Sequence, residues 1–77
     1  MADTRIVTDP AILGGKPCVN GTRISVEFIL ELIASGATAE EIARTYPQLH
    51  REDVEAAVRF AAEYLRRDDL LEFEIRR

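Results

Sequence analysis

The chain has 77 residues, a net charge of −4 and a 47% apolar fraction, with three Phe, two Tyr and no Trp. That is too apolar for a disordered chain, and its length allows one small domain, which buries only about 60% of its unfolded surface. One cysteine excludes an internal disulfide and any multi-cysteine metal site. No apolar run approaches the roughly 18 residues of a membrane span, and the N-terminus lacks a signal-peptide core. A soluble, cytoplasmic protein is expected. The core is thin, and thin-cored domains of this size often gain stability by oligomerising.

In chain order, Arg5-Ile6-Val7-Thr8 is β-branched enough for a short strand, and Asp9-Pro10 starts a turn that Gly14-Gly15 ends. The stretch Ile12–Val26 holds three of the four glycines and the pair Asn20-Gly21. That pair is a strong hairpin signal, because a type I′ turn needs positive φ at both central residues. Cys18-Val19 and Thr22-Arg23-Ile24 are the expected arms.

A first helix is expected from about Val26 to Ser35. Val26, Ile29, Leu30 and Ile33 fall at i, i+3, i+4 and i+7, with Ser25 as N-cap and Gly36 just past the end. A second helix starts at the capping box Thr38-Ala39-Glu40-Glu41 and stops before Pro47. Ala39, Ile42, Ala43 and Tyr46 are its inner stripe. A third runs from near Arg51 to about Leu65. Val54, Ala57, Val58, Ala61 and Leu65 are its expected inner face, and Phe60 and Tyr64 form a second apolar flank. Arg51, Glu52, Glu55, Ala56, Arg59 and Glu63 are expected outside. The end of the chain, Leu71-Glu72-Phe73-Glu74-Ile75, alternates apolar and charged residues as a strand does. The expected fold is mainly α (α+β): an N-terminal β-hairpin, a three-helix helix-turn-helix-like bundle over residues 1–67, and a C-terminal strand-like tail over 68–77.

Catalytic and metal chemistry find little support. Gly15-Lys16 fails as a phosphate loop, because Pro17 replaces the required Ser or Thr. His50 has no cysteine companion, and its spacing to Asp53 fits a helix start. Cys18 has no histidine to activate it. The acid pairs Glu40-Glu41, Glu52-Asp53 and Asp68-Asp69 mark helix ends. No enzyme, cofactor or metal is expected.

The second and third helices have the length and spacing of a helix-turn-helix, joined by Pro47-Gln48-Leu49. Charge weighs against a recognition role, since acids outnumber arginines on the outward face of the third helix. Residues 1–24, with Arg5, Lys16 and Arg23 against Asp3 and Asp9, are the one segment with a positive balance. A plain three-helix core remains open at this point.

One pattern adds to this reading. Arg5-Ile6, Asp9-Pro10, Ile12, Gly14-Gly15-Lys16-Pro17, Val19 and Gly21-Thr22-Arg23-Ile24 resemble the small prokaryotic family DUF433. Glu31-Leu32-Ile33-Ala34-Ser35-Gly36, Glu40-Glu41-Ile42 and Tyr46-Pro47 continue the resemblance, which covers about residues 5–62. It implies a dimeric helix-turn-helix antitoxin that silences a co-encoded PIN-like ribonuclease and represses its own operon by binding operator DNA. On that reading Arg5, Lys16 and Arg23 are candidates for phosphate contact. Arg44, Arg51 and Arg59 are the helix candidates. Leu70, Leu71, Phe73 and Ile75 are the candidates for partner contact, by adding a strand to a sheet edge. The dimer is expected through the N-terminal strand or hairpin. The rival is a protein-interaction module that never touches DNA.

Overall fold

The computed structural model describes residues 4–66; the expected C-terminal strand lies outside them. Strand β1 (Ile6–Val7) pairs antiparallel with β2 (Cys18–Val19), Ile6 opposite Val19 and Val7 opposite Cys18. Helices α1 (Val26–Ala34), α2 (Ala39–Thr45) and α3 (Arg51–Arg66) follow. The molecule is mainly helical, with its two-stranded antiparallel hairpin at the N-terminal end, as the sequence leads one to expect.

The partner of β2 differs from expectation. The loop from Asp9 to Gly15 folds the chain back so that β1, not Thr22–Ile24, supplies the main partner. Asp9 holds that loop by accepting from the backbone N–H of Ala11 (2.9 Å) and of Ile12 (2.8 Å). The backbone is left-handed at Leu13 and Gly14. Residues after the Asn20-Gly21 turn still return along β2, but through single bonds. Val19 N–H donates to the Ile24 carbonyl (3.0 Å), and Cys18 bridges Ser25. The Thr22 hydroxyl explains why no longer ladder forms. It donates to the Val19 carbonyl and accepts from the Ile24 amide, closing the turn on itself. Gly21 has φ of 83°, while Asn20 has no positive φ. With the Thr22 N–H bound to the Val19 carbonyl, this is the pattern of a type II turn, not the expected type I′.

The helix ends follow sequence rules. Ser25 accepts from the Phe28 amide at 2.9 Å. Gly36, at φ of 107°, ends α1 in a Schellman motif: Gly36 N–H meets the Ile33 carbonyl and Ala37 N–H the Leu32 carbonyl. Both bonds of the Thr38/Glu41 capping box form. Tyr46 is extended ahead of Pro47, which ends α2.

The core gathers Val19, Val26, Ile29, Ile42, Leu49, Val54 and Ala57. Helix α3 is its hub, packing on α1, α2, β1 and β2. This contact with the strands rotates the buried face of α3 from the expected one. Asp53 and Ala56 are buried, although Ala56 is expected outside. Val58 is 42% exposed and Leu65 51%, although both are expected inside. At about 1.5 Å per residue, the 16-residue α3 outruns the nine-residue α1, so its last turns project past the core.

Candidate nucleic-acid interface

Among the described residues two concavities stand out; of the candidate residues, Arg5 lines one and Lys16 the other. The first is a polar hollow of about 420 Å³ lined by Thr4, Arg5, Asn20, Gln48, His50 and Asp53. Three separate segments build it: the lead into β1, the turn after β2, and the connection from α2 to α3. It lies where α3 begins. Asp53 organises it, for one carboxylate oxygen accepts from the His50 amide (2.8 Å) and the other from Arg5 Nη1 (2.9 Å). The first bond is half of a capping box, closing the helix start on itself. The second ties the N-terminal strand to the third helix. Asn20 Nδ2 donates to the Thr4 carbonyl at 3.3 Å, fixing the opposite wall.

The second is an apolar groove of about 600 Å³ between α1 and the projecting half of α3. Val26, Leu30 and Ala34 form one wall, and Phe60, Ala61, Tyr64 and Leu65 the other. Pro17 closes part of it, and Lys16, Glu27 and Glu31 stand at its rim. Phe60 and Tyr64, the predicted second flank of α3, stack with ring centroids 6.3 Å apart.

The basic residues singled out from sequence do not form one patch. Arg5 serves the fold by holding Asp53. Lys16 stands at the groove rim, bonded to Glu27 at 3.1 Å. Arg51 is held by two carboxylates, Glu55 at 3.1 Å and Glu40 at 3.2 Å. The hydrogen bond it donates to Glu55, followed by the charges of Glu55 and Glu40, raises the pKa of its guanidinium above the ordinary value. Arg59 is exposed on α3. Arg23, in the turn after β2, and Arg44, in the last turn of α2, are exposed and make no ion pair among the described residues. Leu70, Leu71, Phe73 and Ile75 lie outside the described residues. Sequence reasoning missed Asn20, Gln48 and His50 as a group. Each is a polar residue beside a turn, and only the fold brings them together.

Among the described residues, no group of three or more His, Cys, Asp or Glu is placed to hold a metal ion. No described helix is long and apolar enough to cross a membrane.

The comparisons with known proteins agree with this architecture. The family model described as "Protein of unknown function (DUF433)" matches residues 6–61, which include both strands, the first two helices and most of the third. The chain belongs to the DUF433 family. A crystal structure of a DUF433 member protein from Anabaena variabilis ATCC 29413 superposes with a TM-score of 0.72 at 28% identity. The likeness covers 97% of this chain and 71% of that one. The uncharacterized protein y4eO of Sinorhizobium fredii (strain NBRC 101917 / NGR234) is 34% identical over 56 residues. Those residues are 73% of this chain but 25% of y4eO, so the match spans about a quarter of that longer protein.

Proposed function

We propose that this DUF433 domain is an antitoxin that neutralises a co-encoded PIN-like ribonuclease and represses its own operon as a DNA-bound homodimer. The polar hollow at the start of α3 carries the DNA half of this reading. It collects Asn20, Gln48 and His50 beside the α2–α3 connection, where a helix-turn-helix presents the first residues of its second helix to base edges. Amide side chains suit paired donor and acceptor groups such as those of adenine. Arg23 and Arg44, exposed and without an ion pair among the described residues, are suited to phosphate contact. Arg5 and Arg51 contribute least, because carboxylates already hold them. The ribonuclease half rests on the C-terminal residues Leu70, Leu71, Phe73 and Ile75, which add a strand to the partner's sheet edge.

A second reading, a protein-binding module without DNA contact, is favoured by one observation. The two carboxylates on Arg51 compete with any phosphate at the N-terminal turn of α3.

Fluorescence anisotropy with a labelled duplex from the gene's own upstream region, against a scrambled duplex, separates the two. Binding should weaken steeply with salt, and Arg23→Ala should lower the slope of log affinity against log salt by about one. Gln48→Ala should erase the preference for the upstream duplex. No measurable binding of the parent protein to either duplex selects the module without DNA contact. Deleting residues 68–77 should abolish capture of the co-encoded protein in a pull-down. Retained capture removes the tail from the mechanism.

A further inference from the structure

We infer that the apolar groove between α1 and α3 holds this chain's own C-terminal segment, residues 70–77, folded back from the end of α3. The docking goes beyond the antitoxin reading and stands without it. The segment begins beside the groove. Tyr64 and Leu65 line the groove and are 60% and 51% exposed, and Leu70 comes five positions after Leu65. Asp68 and Asp69 lie between, and aspartate favours the turn that a reversal needs. Reach is sufficient. The α1 wall from Val26 to Ala34 rises about 12 Å, and residues 70–75 in extended form span roughly 17 Å.

Pattern and charge match as well. The groove has apolar walls with its charges at the rim. An extended segment puts alternate side chains on one side, so Leu71, Phe73 and Ile75 meet the walls while Glu72 and Glu74 stay in water. Arg76 and Arg77 follow directly. Glu31, at the rim on α1, forms no ion pair among the described residues and is their complement. Tyr64, Leu65 and the segment all lie past residues 6–61, which the family model matches, so the outer wall and its occupant belong to one stretch of sequence. A short tether supplies an effective concentration of order millimolar, at which a contact too weak to hold a free peptide holds this one. The groove shields Leu71, Phe73 and Ile75 until a partner's sheet edge takes them, the one point here that rests on the antitoxin reading.

The chain has no Trp, so Phe73→Trp in the full chain places a sole tryptophan reporter in the segment, with Leu71→Trp as a second. Emission should be blue-shifted from that of tryptophan in water, and acrylamide should quench it several-fold less. Adding Leu65→Glu or Tyr64→Glu, both at exposed helix positions, should return emission and quenching to their values in water. Circular dichroism melts confirm that each variant folds. The blue shift should persist on dilution through the micromolar range, because the contact is within one chain. Water-like emission from both reporters overturns the inference and leaves the groove to a foreign helix or a small ligand. A blue shift unmoved by folded Leu65→Glu and Tyr64→Glu overturns it by placing the segment elsewhere. A shift lost on dilution overturns it by assigning the groove to a second copy. The fluorescence is read with neither duplex nor partner present, so its failure and a failure of the upstream-duplex or pull-down tests are separate results.

Discussion

A carboxylate with 6% of its residue surface exposed must have its charge met, and Asp53 has its charge met by two donors. The His50 amide bond fixes the first turn of α3, and the Arg5 bond fixes the strand against it. Removing the side chain leaves an amide without its cap and a guanidinium without its anion. Asp53→Ala should therefore cost about 3 kcal/mol, a cap loss of about 1 plus a charged hydrogen bond of about 2. Arg5→Ala, whose side chain is 43% exposed, should cost less, because water can reach the abandoned carboxylate. Urea melts of the two variants would check the order. Equal losses would mean that the Arg5 bond carries the whole effect and the cap nothing. The spacing of His50 to Asp53 makes the cap legible in the sequence. The Arg5 partner, 48 residues away, is not.

Among the elements, the turn after β2 gives the sharpest disagreement with the sequence. The Asn-Gly pair announces a reversal, and a reversal is there. Its type depends on which strand pairs with β2, and that is decided by the packing of Ile6 on the core. A type II turn makes an asymmetric demand on its two central residues. Gly21→Ala should cost about 1 kcal/mol or more through left-handed strain, since nothing lies within 4 Å of the added carbon to clash with it. Asn20→Ala should cost only a few tenths, the worth of an exposed hydrogen bond to Thr4. Similar losses at both positions would point back to a type I′ turn. Elements whose signals are local were legible to within a residue, namely the Ser25 cap, the Gly36 end, the Thr38 capping box and the Pro47 stop. The face of α3 was not. Periodicity gives the width of an apolar stripe, but the strands that pack on α3 are far away in the sequence, and an alanine such as Ala56 carries too little signal to reveal its side.

At the scale of the whole molecule, the candidate interface was the least legible feature. Basic residues that sum to a positive N-terminal segment end up at separate places, Arg5 in the polar hollow and Lys16 at the apolar groove. The hollow instead collects neutral side chains that charge counting overlooks. The Phe60/Tyr64 flank was visible, but not that it and α1 enclose a concavity. A homodimer, as the antitoxin reading has it, makes stability depend on concentration, because dimerisation favours only the folded state. A hundredfold rise in protein concentration should raise the Tm by about 5–10 °C, and a Tm independent of concentration would mean that the folded unit is the monomer.

The bond between Arg5 and Asp53 also bears on how the chain is made. Synthesis runs from the N-terminus, so Arg5 leaves the ribosome 48 residues before the carboxylate that receives it. The capped helices α1 and α2 can begin to order from neighbouring residues as they emerge. Strand β1 can pair with β2 early, yet the two have no α3 to rest on until residues 51–66 have been translated. Strand β1 is therefore made before, and locked only after, the helix it rests on, and closure of this domain waits for α3.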